Sequence, residues 1–244
     1  MCSPLALPPF MFENFIAGRW APPVGGRWLS LAAPGSGRAG RVARAEATDV
    51  AHAAAAAAAA LRPWRRLGAD GRAAALAEVP RAVALHTPVL TFAEAWDRTE
   101  PPPRCPGPAV GRGGVNPAHP RAATADAAPG CPVLRPPPAD QAVPRAPAVL
   151  RLARCADADP DTAWECLAPL LGDGHVAVVL LLYCEARRLP VRLLTRLGLA
   201  AAALPAGVLN LLTGLGLEAG LALATDPLTA WPPGGAAPPA RPSH

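Results

Sequence analysis

The sequence predicts an α/β fold whose C-terminal part is a parallel βαβ unit, and three observations carry that reading. Val176 to Leu182 is an unbroken apolar run bounded by polar residues, as expected of a strand covered on both faces. Pro190 opens a helix-forming segment through about Ala203, and Val208 to Leu212 is a second apolar strand. That strand enters a glycine turn, Gly214-Leu215-Gly216, followed by helix-prone residues. Strand, helix and strand in this order assemble with a right-handed crossover. Glycines placed after the second strand let the backbone turn tightly and approach a phosphate closely.

The N-terminal elements precede this unit. Residues 12 to 45 alternate short apolar stretches with glycine turns around Ala17-Gly18 and Gly35-Ser36-Gly37, which predicts short strands. Thr48 offers an N-cap hydroxyl, with Asp49 in the first turn, to a helix through the alanine run Ala53 to Ala60. Alanine favours the helix but buries little area, and Pro63 and Trp64 are expected to end it. A second helix is expected from Arg72 and a third from Thr87-Pro88, with proline in the first turn. Pro80 sits badly in the second, at a cost of about 3 kcal/mol inside a helix, so that helix either stops near Val79 or kinks. Further on, TAWECLAPLLGDG predicts a helix ending at Gly172 or Gly174.

Residues 101 to 160 are different in kind. They hold 15 of the 33 prolines, few large apolar residues and neither helical nor strand periodicity. Such a segment cannot bury enough apolar surface to offset its ordering entropy, and it is expected to be disordered. The tail from Trp231 is similarly rich in proline and glycine.

Composition limits the function classes. The formal charge is +5, and all 23 basic residues are arginines. A lysine-free chain dominated by Ala, Leu, Val, Arg, Pro and Gly reflects GC-rich coding DNA more than a selected chemistry. The arginines are scattered, densest at Arg62, Arg65 and Arg66, with no aromatic platform beside them, so no nucleic-acid partner is expected. The six cysteines form no C-x-x-C pair and have no histidine at ligand spacing, so neither a metal site nor a disulfide framework is expected. MCSPLALPPF lacks the features of a secretory signal. The apolar region Leu197 to Leu217 is interrupted by Pro205, Gly207 and Asn210, which argues against a membrane span. The expected compartment is the cytoplasm.

Two blocks of residues together resemble one family. Phe12 to Ala21 (FENFIAGRWA), Pro22-Pro23-Val24, Gly26, Pro34 and Gly37 are similar to the N-terminal strands of NAD(P)-dependent aldehyde dehydrogenases. Thr48-Asp49-Val50 with the alanine-rich helix to Trp64, and EAWDRTEP from Glu94, continue that resemblance. In the second block, Trp164 to Gly174 and Leu204 to Gly220 resemble W-K-L-A-P-A-L-A-A-G-N and L-P-P-G-V-L-N-V-V-x-G-x-G-x-E-A-G. The resemblance covers about residues 12 to 104 and 162 to 226. It implies a Rossmann-type cofactor domain, a catalytic domain and an oligomerisation arm. The implied activity is oxidation of an aldehyde by a cysteine nucleophile, with NAD or NADP as hydride acceptor.

Carried over residue by residue, the resemblance leaves cofactor-binding candidates and no catalytic ones. Gly214, Gly216 and Gly220 match the family's G-x-G-x-x-x-G and are candidates to line the nucleotide cleft. Read without the family, the same turn fits G-x-G-x-x-A, but no Asp or Glu follows Asp226 to act as the acidic ribose partner. A tight turn with no ligand fits these residues equally well. The family's ribose-binding K-P-A/S-E falls where this chain reads Leu181-Leu182-Tyr183-Cys184-Glu185, with no lysine and a shifted spacing. Glu185 is therefore either a ribose acceptor or a solvated acid at a helix start. The oxyanion asparagine of P-W-N-F-P has no counterpart before Trp164, where Asp157 to Asp161 stands, and Asn116 lies in another context. The family's E-L-G-G-K base and G-Q-x-C nucleophile have no match, and Cys184 reads as a small core residue. No metal ligand is implied.

The expected organisation is therefore a partial Rossmann-like βαβ unit preceded by short strands and helices, with a proline-rich insert. Residues 1–11 form a flexible N-terminus, 12–104 the N-terminal strands and helices, and 105–161 the insert. Residues 162–226 form the dinucleotide-binding unit and 227–244 a tail. The abrupt loss and return of resemblance around residues 105 and 162 suggests compensating frameshifts in GC-rich DNA. The functional expectation is an inactive aldehyde dehydrogenase fragment that binds NAD or NADP weakly or not at all. The alternative is a non-catalytic nucleotide-binding protein or oligomer partner of a full-length relative.

Overall fold

The computed structural model describes residues 10–31, 40–99, 149–154, 160–183 and 189–229. Among these described residues eight strands and six helices follow in order: β1 Phe10–Phe12, β2 Asn14–Ile16, β3 Arg19–Ala21, β4 Trp28–Ser30, β5 Gly40–Ala43, α1 Ala47–Arg66, α2 Gly68–Ala84, α3 Thr87–Thr99, β6 Val149–Arg154, α4 Pro160–Gly172, β7 Val176–Leu182, α5 Val191–Ala203, β8 Leu209–Gly214 and α6 Leu221–Thr225. A π-helical turn, Gly216–Gly220, joins β8 to α6.

Five strands form the main sheet in the order β3-β2-β8-β7-β6, and a smaller sheet runs β1-β5-β4. Strands β6, β7 and β8 are parallel, with Val176 opposite Val149 and Ala177 opposite Leu209. Strand β2 runs antiparallel to β8 through Phe15 and Leu211 and turns back into β3 at Ala17-Gly18. Every residue from Val176 to Leu181 is buried, so both faces of β7 are covered; α1 and α4 pack on it. Each such Val or Leu contributes about 1.5–3 kcal/mol by leaving water. The predicted β7, α5 and β8 therefore stand where the apolar runs put them, and α4 and α5, which connect the parallel strands, pack against each other.

Several local expectations are corrected. Glu46, not Thr48, caps α1; the Asp49 carboxylate accepts the Glu46 backbone N–H at 2.9 Å, reaching back from the first turn. Helix α1 does not end at Pro63 but runs to Arg66. Pro63 and Ala59 both lie on the exposed side, where a carbonyl freed by proline is open to solvent, while Trp64 anchors the next turn. The Trp64 ring is 1% exposed and donates its N–H to the Leu171 carbonyl at 2.9 Å. Likewise α2 begins at Gly68 and continues through exposed Pro80 to Ala84, pinned by buried Val79 and Val83 on either side.

The largest difference falls in the proline-rich segment. Strand β6, Val149–Arg154, lies inside the stretch expected to be disordered and pairs with β7 along six residues. Residues 148–159 contain no proline, so a complete ladder is possible there, and β7 supplies the partner that composition cannot reveal. Helix α4 also begins earlier than expected, at Pro160. The rest of that segment and the tail lie outside the described residues.

The N-terminal layer is tied to the main sheet by buried polar groups. Asn210 on β8 accepts from the Ala17 N–H at 3.0 Å and donates to the Gly207 carbonyl at 2.8 Å. Asp49 accepts from Asn14 Nδ2 at 3.2 Å and from the Val24 N–H at 3.0 Å. Gly207 needs its glycine twice over: φ is +83°, and a Cβ would come within 2.7 Å of the Ala56 carbonyl. Among the described residues no helix is long and apolar enough to cross a membrane.

Candidate nucleotide site

Ligands of open α/β sheets lie outside the carboxyl ends of the strands. Here β7 ends at Leu182 and β8 at Gly214, side by side in register. Tyr183 extends the pairing, its N–H donating to the Gly214 carbonyl at 2.8 Å, and its hydroxyl donates to the Ser30 carbonyl at 2.7 Å. Strand β5 leads into the same end. The Thr213 hydroxyl donates to the Ala43 carbonyl at 2.5 Å, and the Ala45 N–H donates to the Thr213 carbonyl at 2.9 Å.

The three candidate glycines are brought together in one turn but play different parts. None has φ in the left-handed region, so conformational freedom does not explain them. At Gly214 a Cβ would meet the Ala45 carbonyl at 3.2 Å and the Ala219 Cβ at 3.0 Å, so close packing within the chain requires glycine. At Gly216 a Cβ would meet only Leu182 Cδ2, at 4.0 Å, and at Gly220 nothing closer than 3.7 Å. Those two positions are sterically free, and the space at Gly216 admits a ligand's approach. The Glu218 and Gly220 N–H groups donate to the Leu215 carbonyl at 3.1 and 3.2 Å, which closes the turn on itself. Glu185 and Cys184 lie outside the described residues, as does Asn116.

An ionic cluster rims the turn. The Arg44 guanidinium grips the Glu218 carboxylate with two prongs, Nε to Oε2 at 2.8 Å and Nη2 to Oε1. Arg27 Nη2 lies 3.6 Å from Glu218, and Arg27 Nε donates to Glu46 at 2.5 Å. Hydrogen bonding from Arg44 holds the Glu218 carboxyl below its ordinary range, with the nearby positive charges adding to the effect. Sequence reasoning missed this cluster. Glu218 stands in the family motif, but its partner is 174 residues away and carries no local signal.

A second acid, Asp97, takes a structural part. It caps α5 by accepting the Val191 N–H at 2.8 Å and the Arg192 N–H at 3.0 Å. Burial raises its carboxyl above the ordinary range, against the lowering by these two bonds. It lines an open cavity of about 390 Å³ with Glu94, Arg98, Pro190 and Arg192, on the flank where α3 meets α5. Cys166, the only cysteine among the described residues, lies half-buried on α4 rather than on the glycine turn. Among the described residues no group of three His, Cys, Asp or Glu side chains is placed to hold a metal.

No protein-family model matches the chain. Aldehyde dehydrogenases of Deinococcus radiodurans and Paracoccus denitrificans are each 29% identical to it over 91 residues, 37% of this chain and 18% of theirs. In fold it is similar to an NAD-dependent aldehyde dehydrogenase from Sinorhizobium meliloti, with a TM-score of 0.62 and 20% identity over 90% of this chain. It is also similar to PnpE, a Pseudomonas sp. WBC-3 protein whose structure was solved in complex with nicotinamide adenine dinucleotide, with a TM-score of 0.59 and 18% identity over 89% of this chain. The chain spans 44% of the length of both structures. The chain is thus similar to aldehyde dehydrogenases in sequence over 37% of its length and in fold over about 90% of it, and it spans less than half the length of those structures.

Proposed function

We propose that this chain is a cofactor-domain portion of an aldehyde dehydrogenase-type oxidoreductase, that it meets NAD or NADP at the Gly214–Gly220 turn, and that it does not oxidise aldehydes alone. The observation that carries the reading is the space at Gly216. A glycine turn follows directly on a parallel strand, and a Cβ at that glycine would touch only Leu182 at 4.0 Å. The Glu218 and Gly220 N–H groups are taken up by the Leu215 carbonyl, but those ahead of them at the start of a helical turn have no intrahelical acceptor, and a pyrophosphate suits them. The residues present fit the phosphates of a dinucleotide better than its ribose, because a chain without lysine offers no ammonium to the ribose hydroxyls. When bound, the nicotinamide supplies a hydride acceptor. This chain's part is to present the turn and, at Glu185, a carboxylate.

Lack of turnover is supported by the sequence, in which none of the six cysteines stands in the family's G-Q-x-C context and E-L-G-G-K has no match. A thiolate nucleophile and a carboxylate base are both needed for such a reaction. The test is calorimetric titration of the purified chain with NAD and with NADP, beside an assay for aldehyde-dependent NADH. We expect weak saturable binding that Gly216→Val abolishes, and no NADH. Robust turnover, or binding untouched by Gly216→Val, would sink the reading.

A second reading, a partner protein for a full-length relative, is favoured by β6. Among the described residues it pairs on one side only, with β7. An unpaired strand edge is a template for pairing with another chain. Co-expression with a full-length aldehyde dehydrogenase and light scattering of the mixture decides it; independent elution of the two chains rejects the association.

A further inference from the structure

We infer that Arg44 is a positioning residue for the glycine turn: its two-pronged contact with Glu218 sets the conformation of residues 214–221 and couples them to the N-terminal layer. The consequence for nucleotide affinity rests on the reading above; the coupling itself does not.

Arg44 is aimed by its neighbours. Ala43 and Ala45, on either side of it, are both hydrogen-bonded to Thr213, the residue before Gly214. The Arg44 N–H donates to the Arg27 carbonyl at 3.0 Å, which fixes the strand pair that carries both arginines. The guanidinium therefore leaves a clamped backbone directly over the turn. Both partners are partly sheltered, their side chains 28% and 30% exposed, and a bidentate charge-assisted pair is geometrically specific.

Few buried side chains otherwise hold the turn. It is a π-helical turn, a form with poor intrinsic stability that persists where surrounding contacts impose it. Ala219 is its one buried residue, and Leu223 is the one buried residue of α6, while Leu217 is 90% exposed. Arg27 then relays the contact, touching Glu218 and Glu46, and Glu46 caps α1. Four charges thus connect the start of α1, the β4–β5 pair and the turn after β8.

The experiment is hydrogen exchange by mass spectrometry on the full chain, with Arg44→Ala, Arg44→Lys, Glu218→Ala and the swap Arg44→Glu/Glu218→Arg. The expected result is faster exchange confined to residues 214–221 in both alanine variants, by about two- to thirtyfold, the span of coupling networks. Arg44→Lys, which keeps the charge and loses the fork, falls between, and the swap restores protection. Unchanged exchange in this segment overturns the inference. So does a rise spread evenly over the chain, which would make the pair a general structural contact. NAD titration of the same variants separates the two readings. If the unmodified chain binds NAD, affinity should fall and recover in step with exchange, and affinity that does not follow overturns the positioning role. If the unmodified chain does not bind NAD, the nucleotide reading fails and exchange alone decides the coupling.

Discussion

The parallel unit and the glycine turn beside it are held by opposite means. In β7, residues Val176 to Leu181 are each at most 1% exposed, and α5 adds Leu193, Leu194 and Leu197 from the next element. In the turn, Gly216 to Gly220, only Ala219 is buried, and a two-pronged ion pair joins the turn to Arg44. The core draws its stability from non-directional burial, which tolerates approximate geometry. The turn relies on a directional pair that brings the right atoms together or fails. A region that receives a ligand gains from this, because it can stay accessible while keeping its shape.

Substitutions test that contrast from the core outward. Leu180→Ala should cost about 2–5 kcal/mol in urea unfolding, since the side chain is fully buried in the central strand. A loss comparable to a surface substitution would mean that β7 is not covered on both faces. Trp64→Phe keeps most of the ring's packing and removes one of two donors to the Leu171 carbonyl, which still accepts the Gly174 N–H, and should cost about 0.5–1.5 kcal/mol. Asp97→Ala removes two acceptors from the start of α5 and should cost about 1 kcal/mol, with Asp97→Asn milder. At the small end, Glu218→Gln should lower the unfolding midpoint only slightly, because a partly solvated ion pair contributes little to global stability.

Acid titration sharpens the same comparison. The folded-state range of Glu218 is lowered, so its contribution to stability is present above the ordinary carboxylate range and is lost as pH falls through the lowered one. Asp97 is raised by burial, so its term is most favourable below the ordinary carboxylate range and weakens as pH rises through the raised one. Through the acid range the two variants should therefore differ in slope. Glu218→Gln should flatten the acid-side loss, and Asp97→Asn should flatten a loss towards neutral pH. Thermal melts across this window check both signs, and equal slopes in the two variants would contradict the opposed environments.

The sequence made some elements legible and hid others for identifiable reasons. Val176 to Leu182, Pro190 to Ala203 and Val208 to Leu212 were readable because each is a continuous local signal, an apolar run bounded by polar residues, proline or glycine. Pro63 misled as a helix breaker, and of the two outcomes left open at Pro80 the helix continues, because the cost of one lost hydrogen bond is offset by Trp64 in α1 and by Val79 and Val83 in α2. The cap at Glu46 was missed because Thr48 is the better local cap, and only the packed hairpin brings Asn14 and Val24 onto Asp49. The turn itself was found, but the reason for its glycines was not: Gly214 answers to Ala45, a residue from a distant strand.

The sequence by itself determined the α/β class, the βαβ core and the glycine turn, since these follow from short-range periodicity and backbone freedom. The tertiary structure alone decided that β6 completes the parallel ladder and that Arg44 meets Glu218. Both depend on contacts between residues far apart in the chain, and such contacts exist only once burial of the apolar runs has brought their partners together.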